Sequence, residues 1–379
     1  MSWGQIAIED IALVKGGKRL PKGHDFVSYP TPYPYIRARD IGQGKIEIKD
    51  YVYLSEETHE KIKRYIVNKG DVVITIVGAN VGDVGYVQDN LDGANLTENA
   101  AKLVVDKSKI DPYFLKLYLS TEQNKKRLAF IASGAAQGKL GLYKIKTFPV
   151  SNPPLDAQKQ IVQIVQTYDD LIENNKRRIE LLEESARQLY KEWFVRFRFP
   201  GHEHVKIVDG VPEGWEKRKL KELLTLNYGK ALKSDNRIPG DFPVYGSSGV
   251  VGSHNKALVK GPGIIVGRKG NVGAIYWSNL DFFPIDTVYF IKAEESSYFI
   301  YYALLHITFI NTDVAVPGLN RDFAYSREVV VPNDTLREEF EDEVAPIFKQ
   351  CHTLEKYNEQ LSKARDLLLP KLMSGEVTV

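Results

Sequence analysis

The sequence predicts an α+β protein: two mixed α/β lobes separated by two long helices that pair as an antiparallel coiled coil, arranged as a pseudo-two-fold internal repeat. Three observations carry this. Segments recur in the same order in both halves of the 379-residue chain. Each half begins with short β-branched and aromatic runs punctuated by Gly, Pro and Asn. Each half closes on a long stretch with apolar residues at heptad spacing.

The repeat is legible residue by residue. WGQIAIEDIALVKGGK at the start matches GWEKRKLKELLTLNYGK, so that Trp3 aligns with Trp215, Ile11 with Leu223 and Lys18 with Lys230. KGDVVITIVGANVGDVGYV (69–87) matches KGPGIIVGRKGNVGAIYW (260–277): a Lys-Gly turn, a β-branched run and an Asn-Val-Gly loop. GKLGLYKIKTFPVSNPPLDAQKQI matches GLNRDFAYSREVVVPNDTLREEF in pattern, with a Gly loop, a short strand, a proline and a helix start.

Within the lobes, helical patches such as DPYFLKLYLSTEQNKKRLAFI interrupt the strand runs. In the first long helix Ile161, Val165, Tyr168, Ile172, Asn175, Ile179, Leu182, Ala186, Leu189 and Trp193 alternate at spacings of four and three, Asn175 being the polar exception. In the second, Phe340, Val344, Ile347, Cys351, Leu354, Asn358, Leu361, Leu368 and Leu372 keep that rhythm, and Arg365 breaks it. So narrow an apolar stripe needs a partner helix. Asp156 and Asp334 are the expected N-caps, Pro200-Gly201 and Ser374-Gly375 the expected stops, and Pro346 is expected to kink the second helix or delay its regular start. The chain divides into a first lobe at 1–152, a first helix at 153–198, a linker with the second lobe at 199–332, and a second helix with the C-terminal tail at 333–379.

Composition narrows the function classes. With 51 basic and 49 acidic residues, nothing global marks a nucleic-acid binder, so any such role rests on local patches. The single cysteine, Cys351, excludes a disulfide framework and a thiolate cluster, and fits a reducing compartment. MSWGQIAIED lacks a signal-peptide pattern and FIYYALLHITFI is too short to span a bilayer, so a cytoplasmic location is expected.

Catalytic patterns are weak. SNPPL (151–155) resembles the Asn-Pro-Pro-aromatic run with which amino-group methyltransferases hold a target amine, but Leu155 has no ring to stack on a base. Nor is there a glycine-rich strand-to-helix turn for a methyl donor. The bland reading, a strand end followed by a helix start, fits better. GAAQGKLG (134–141) is a residue short of a phosphate loop, with Leu140 where a magnesium-binding Ser or Thr belongs. His202 and His204 sit in a linker, and the acidic residues of DTVYFIKAEE have no counterpart in ENAAKLVVDK. No catalytic residue, metal site or cofactor is assigned to this chain.

What remains is a binder of phosphates and base edges. Basic, aromatic and small polar residues interleave with glycines at Lys18, Arg19, Lys22, Arg37, Arg39, Lys139, Tyr143 and Lys144 in the first lobe. In the second they do so at Lys230, Lys233, Arg237, Tyr245, Ser247, Ser248, Arg268, Lys269, Asn271 and Arg321.

PLDAQKQI with its heptad helix, LLEESARQLYKEWF, VPEGWEKRKLKEL and LLLPKLMSGEV, in the order lobe, helix, lobe, helix, resemble the specificity (S) subunits of type I restriction–modification systems over essentially the full chain. The resemblance implies that each lobe is a target-recognition domain reading one half of a bipartite, asymmetric DNA site, and that the helices act as a spacer. It also implies docking of two methyltransferase (M) subunits that carry S-adenosylmethionine, with translocase–nuclease (R) subunits joining the larger assembly. The chain departs from the family's Glu-Gln pair after Pro-Pro-Leu, having Ala157-Gln158 in one copy and Leu336-Arg337 in the other, and its second copy lacks the double proline. The readings from other classes are a self-contained adenine methyltransferase and a duplicated protein-binding scaffold.

Overall fold

The computed structural model describes residues 3–133, 138–309 and 318–377; part of the 134–141 segment, with Gln137, lies outside them. The chain forms two compact units, Met1–Ile172 with Glu359–Val379, and Glu173–Asn358, so the division falls inside both long helices.

In the first unit a four-stranded antiparallel sheet has the order Ala12–Gly16, Ala100–Val105, Val72–Thr75, Val84–Tyr86. In the second unit the order is Asn227–Tyr228, Val288–Ile291, Gly263–Gly267, Ile275–Ser278. The β-branched runs make the central strands, and because both sheet faces are covered they are apolar without alternation. Val72 and Ile74 point into one core and Val73 into another. Ile264 and Val266 likewise share one core while Ile265 faces the other. Flanking elements repeat too. The antiparallel pair Gln5–Ala7 with Pro149–Ser151 corresponds to Glu216–Lys219 with Glu328–Val331. The helix Pro112–Ser120, capped by Asp111, corresponds to Tyr298–His306, capped by Ser297.

The ladders correct the sequence match at one point. Val72 faces Leu103 and Ile264 faces Ile291, so Val72 corresponds to Ile264. Aligning the two Lys-Gly turns, Lys69 with Lys260, would pair Val72 with Gly263 instead. The second copy holds one extra residue before its strand, and a one-residue slip would have turned every side chain to the wrong face.

The long helices span Leu155–Tyr190, continued by a π-turn over Lys191–Val195, and Asp334–Ser374. Within each unit their portions run antiparallel. In the first unit Arg365 Nη1 donates to Asp169 Oδ1 at 2.5 Å, while Ile161, Val165 and Leu372, with Leu368 beside them, enter the lobe core. In the second, Asn175 Nδ2 donates to Asn358 Oδ1 at 3.0 Å, and Tyr190 packs 6.0 Å from Phe340. Here Val344 is buried with Ala186 and Trp193, and Leu189 and Ile347 pack against them. Ile172 and Leu354 are buried, and Tyr168, Ile179, Leu182 and Leu361 are half-buried.

Several helix-end expectations are corrected. Asp156 and Asp334 are already helical, so neither is a cap. Asn333 Oδ1 accepts from Leu336 N at 2.9 Å, and Pro154 O accepts from Gln158 N. The aspartates instead place negative charge in the first turn, where the helix dipole favours it. Pro346 does not delay the second helix, which runs unbroken through Pro346 and Pro370; Pro346 is exposed, so water can take the carbonyl its missing N–H leaves free. The first helix ends before Pro200-Gly201, with Phe197 in a left-handed conformation at φ 58°.

Lys102 and Asp71 form a buried pair in the first lobe, Nζ to Oδ2 at 3.7 Å, and Lys102 also donates to the Ile66 carbonyl. Burial pushes the Asp71 pKa up and that of Lys102 down. Strand register places Phe290 at the position of Lys102 in the second lobe. Breaking the pair with Asp71→Ala is expected to cost about 3–5 kcal/mol in urea unfolding, whereas Asp71→Leu with Lys102→Met should cost far less.

Candidate nucleic-acid interface

The two lobes share a backbone clasp. A Cβ on Gly17 would lie 2.0 Å from the Thr97 carbonyl oxygen, and one on Gly229 would lie 2.0 Å from that of Ile285. Gly17 and Lys18 donate their backbone N–H groups to Ala100 and Leu96 oxygens; Gly229 and Lys230 donate theirs to Val288 and Pro284. Only glycine allows this approach, and the clasp holds the neighbouring side chains at one end of each sheet.

In the second lobe the clasp presents Tyr228, half exposed. The Arg268 guanidinium lies 5.0 Å and that of Arg321 5.1 Å from its ring centroid. Arg268 Nη1 donates to the Asp286 carbonyl at 3.1 Å, and Arg321 opens a short helix capped by Asn320. Stacking on an aromatic face holds a guanidinium plane while leaving N–H edges free for phosphate or guanine. Lys269 is exposed, tied by its backbone N–H to Thr287 O, and Asn271 is exposed at the tip of the same loop. The Ser247 hydroxyl borders that loop, 3.1 Å from where a Cβ on Gly270 would sit. Lys230, Lys233 and Ser248 are exposed. Two residues serve the fold instead. Tyr245 is buried in a lobe core with its hydroxyl 3.5 Å from the Trp277 carbonyl, and Arg237 donates to the carbonyls of Val251 (2.6 Å) and Leu232 (3.4 Å).

In the first lobe Lys18, Lys22, Lys139 and Tyr143 are exposed, with the Lys18 ammonium 5.7 Å from the Tyr65 ring. Arg19 Nε donates to Glu98 at 2.9 Å yet stays open to solvent. Arg39 is loosely placed, 3.8 Å from Asp50. Arg37 is consumed by the buried Asp40, donating Nε and Nη2 to its two oxygens, and Lys144 donates to the Ile131 carbonyl at 2.6 Å.

The arginine–tyrosine cluster has no twin. Gly16, Ile76 and Leu142 take the places of Tyr228, Arg268 and Arg321, and a Cβ on Gly16 would meet Leu142 Cδ1 at 3.8 Å. Equivalent backbones thus carry unlike surfaces. Tyr228 was not singled out from the sequence; its place directly before the Gly-Lys clasp was the available signal.

The Asn-Pro-Pro segment is occupied internally. Gln158 is fully buried; its Nε2 donates to Pro153 O at 2.8 Å and reaches Asn152 Oδ1 at 3.5 Å, while its Oε1 accepts from Asp111 N. The carbonyl that would hold an amine therefore clamps a helix start. Among the described residues there is no cluster of three or more potential metal-ligating His, Cys, Asp or Glu side chains, and no helix long and apolar enough to cross a membrane.

The family profile described as "Type I restriction modification DNA specificity domain" matches residues 2–184 and 212–321, one segment for each lobe and more than half of the chain. The chain belongs to this family. A type I restriction enzyme specificity subunit of Methanocaldococcus jannaschii is 24% identical, the match covering 100% of this chain and 94% of that protein. The HindI specificity subunit of Haemophilus influenzae is 22% identical, with 99% of each chain covered. The crystal structure of a type I S subunit from M. genitalium shares the fold, with a TM-score of 0.58 at 19% identity over 98% of this chain and 96% of that one.

For this specificity-family chain, Arg268→Ala and Arg321→Ala are each expected to weaken duplex binding by roughly tenfold and to lower the slope of log affinity against log salt by about one. Fluorescence anisotropy across a salt series measures both. Arg37→Ala should instead lower the melting temperature, because it leaves the Asp40 carboxylate buried without its cation.

Proposed function

We propose that the chain is the sequence-specific DNA-recognition subunit of a type I restriction–modification enzyme and has no catalytic activity of its own. Each lobe reads one half of a bipartite, asymmetric site; the paired helices set the spacing and dock two methyltransferase subunits. Those subunits bring S-adenosylmethionine, and translocase–nuclease subunits complete the assembly. The four sequence segments serve these roles in turn: 1–152 and 199–332 as recognition domains, 153–198 and 333–379 as spacer.

The observation that carries this reading is the pairing of the same four-stranded sheet order in both lobes with unlike exposed chemistry. A symmetric duplication with matched surfaces would read two like half-sites. Here an Arg–Tyr–Arg cluster faces out from one lobe while glycine and apolar residues fill that place in the other. Direct readout depends on which donors reach base edges, so unlike surfaces read unlike sequences.

Two experiments test it. Replacing the first lobe with that of a relative should change one specific block of the methylated site in genome-wide methylation mapping; a change in both blocks would refute independent lobes. The second concerns spacing. Helices of about 35 residues at about 1.5 Å each make a rod of roughly 50 Å, or about 15 base pairs at about 3.4 Å per pair. Inserting one helical turn into both helices should lengthen the unspecified gap by about one or two pairs; an unchanged gap would sink the spacer role.

A further inference from the structure

The first unit holds a buried charge where its twin is aromatic. Counting from the caps Asp111 and Ser297 equates Lys116 with Tyr302; counting from the helix starts Leu155 and Asp334 equates Asp169 with Phe348. In the second unit Tyr302 packs 6.2 Å from Phe348 and 6.0 Å from Tyr190. In the first, Lys116 is only 5% exposed, and its ammonium lies 4.1 Å from the Tyr113 ring centroid. No acceptor among the described residues takes a hydrogen bond from it.

A cavity of about 480 Å³ opens beside this lysine, lined also by Lys45, Lys125, Asp169, Arg365 and Asp366. Most of its charges are spoken for. Lys125 pairs with Asp83 at 2.5 Å, Glu122 with Lys126 at 3.1 Å, and Arg365 spans Asp169 at 2.5 Å and Asp366 at 2.8 Å. Lys116 and Lys45 are left without a carboxylate within ion-pair distance, against one surplus carboxylate at Arg365. The lining residues balance, four basic against four acidic, and Lys126 behind Glu122 adds a single positive charge. Burial draws the Lys116 pKa down to about 8; Asp169 opposes the shift, and Lys45 and Arg365 add to it. The ammonium opens onto this cavity and has no hydrogen-bond acceptor among the described residues, and a ligand oxyanion would supply one.

We propose that this cavity is a binding site for a small organic carboxylate, with the Lys116 ammonium as its principal donor and the apolar side chains of Leu117, Val165 and Leu369 enclosing its body. The inference does not rest on DNA recognition, and its test involves no DNA. Ligand-observed saturation-transfer NMR on the full chain would compare benzoate with benzylammonium and benzyl alcohol. Benzoate is expected to bind, benzylammonium not to bind, and Lys116→Met to weaken benzoate by about tenfold or more, the worth of a hydrogen bond to a charged group. Lys116→Arg should retain binding, and Lys256→Ala, at an exposed lysine of the second unit, should leave it unchanged. Should Lys116→Met fail to fold, the wild-type chain still decides the matter: saturating benzoate should raise the titration midpoint of the Lys116 ¹⁵Nζ resonance. Equal signals from benzoate and benzylammonium, or a Lys116 midpoint unmoved by benzoate, would overturn the proposal.

Discussion

Neither lobe closes its core without both long helices. Ile161, Val165 and Leu372 complete the core of the first unit, and Ala186, Phe340 and Val344 that of the second. Each sheet presents an apolar face that local chain cannot cover, and the helices supply the missing wall. The consequence reaches the chain ends. Trp3 Nε1 donates to the Leu372 carbonyl at 3.1 Å, so the first and last segments meet in one unit, which needs residues from both ends to be stable.

Polar groups set the register of this packing. An apolar seam tolerates sliding by a heptad, whereas Asn175 and Asn358 satisfy each other only in one alignment. By repeat position their counterparts are Leu354 and Ile179, so the polar layer is not duplicated. Arg365, which breaks the heptad rhythm, meets Asp169 within the first unit. Both exceptions to the apolar pattern therefore find partners within their own units. Lys116, Asp169 and Arg365 also show that duplicated backbones have diverged in chemistry at a buried position, where substitution by aromatic residues is what packing alone would favour.

Arginine shows how chemistry separates residues of one type. Arg37 and Arg268 lie in similar glycine- and aromatic-rich stretches, yet Asp40 takes both edges of the first while an aromatic ring supports the second and leaves part of it free. A basic patch in a sequence therefore states a capacity for phosphate contact; the partners that fold places beside each cation decide whether it is spent. Tyr245 and Lys144 were spent in the same way, on a core and on a carbonyl.

The repeat, the strand runs and the heptad helices were legible because each rests on periodicity, and periodicity survives in one dimension. The order of elements followed from them, as did the family resemblance. Caps, the one-residue insertion before Gly263 and the tolerance of Pro346 were not legible, since they depend on which carbonyls and faces lie opposite across long sequence separations. The exposed clusters were half legible: residue types marked the loops, and only tertiary contacts separated the arginines stacked on Tyr228 from those bound within the lobes. Long-range pairing consumes donors and acceptors in three dimensions, and no local pattern of residues records that.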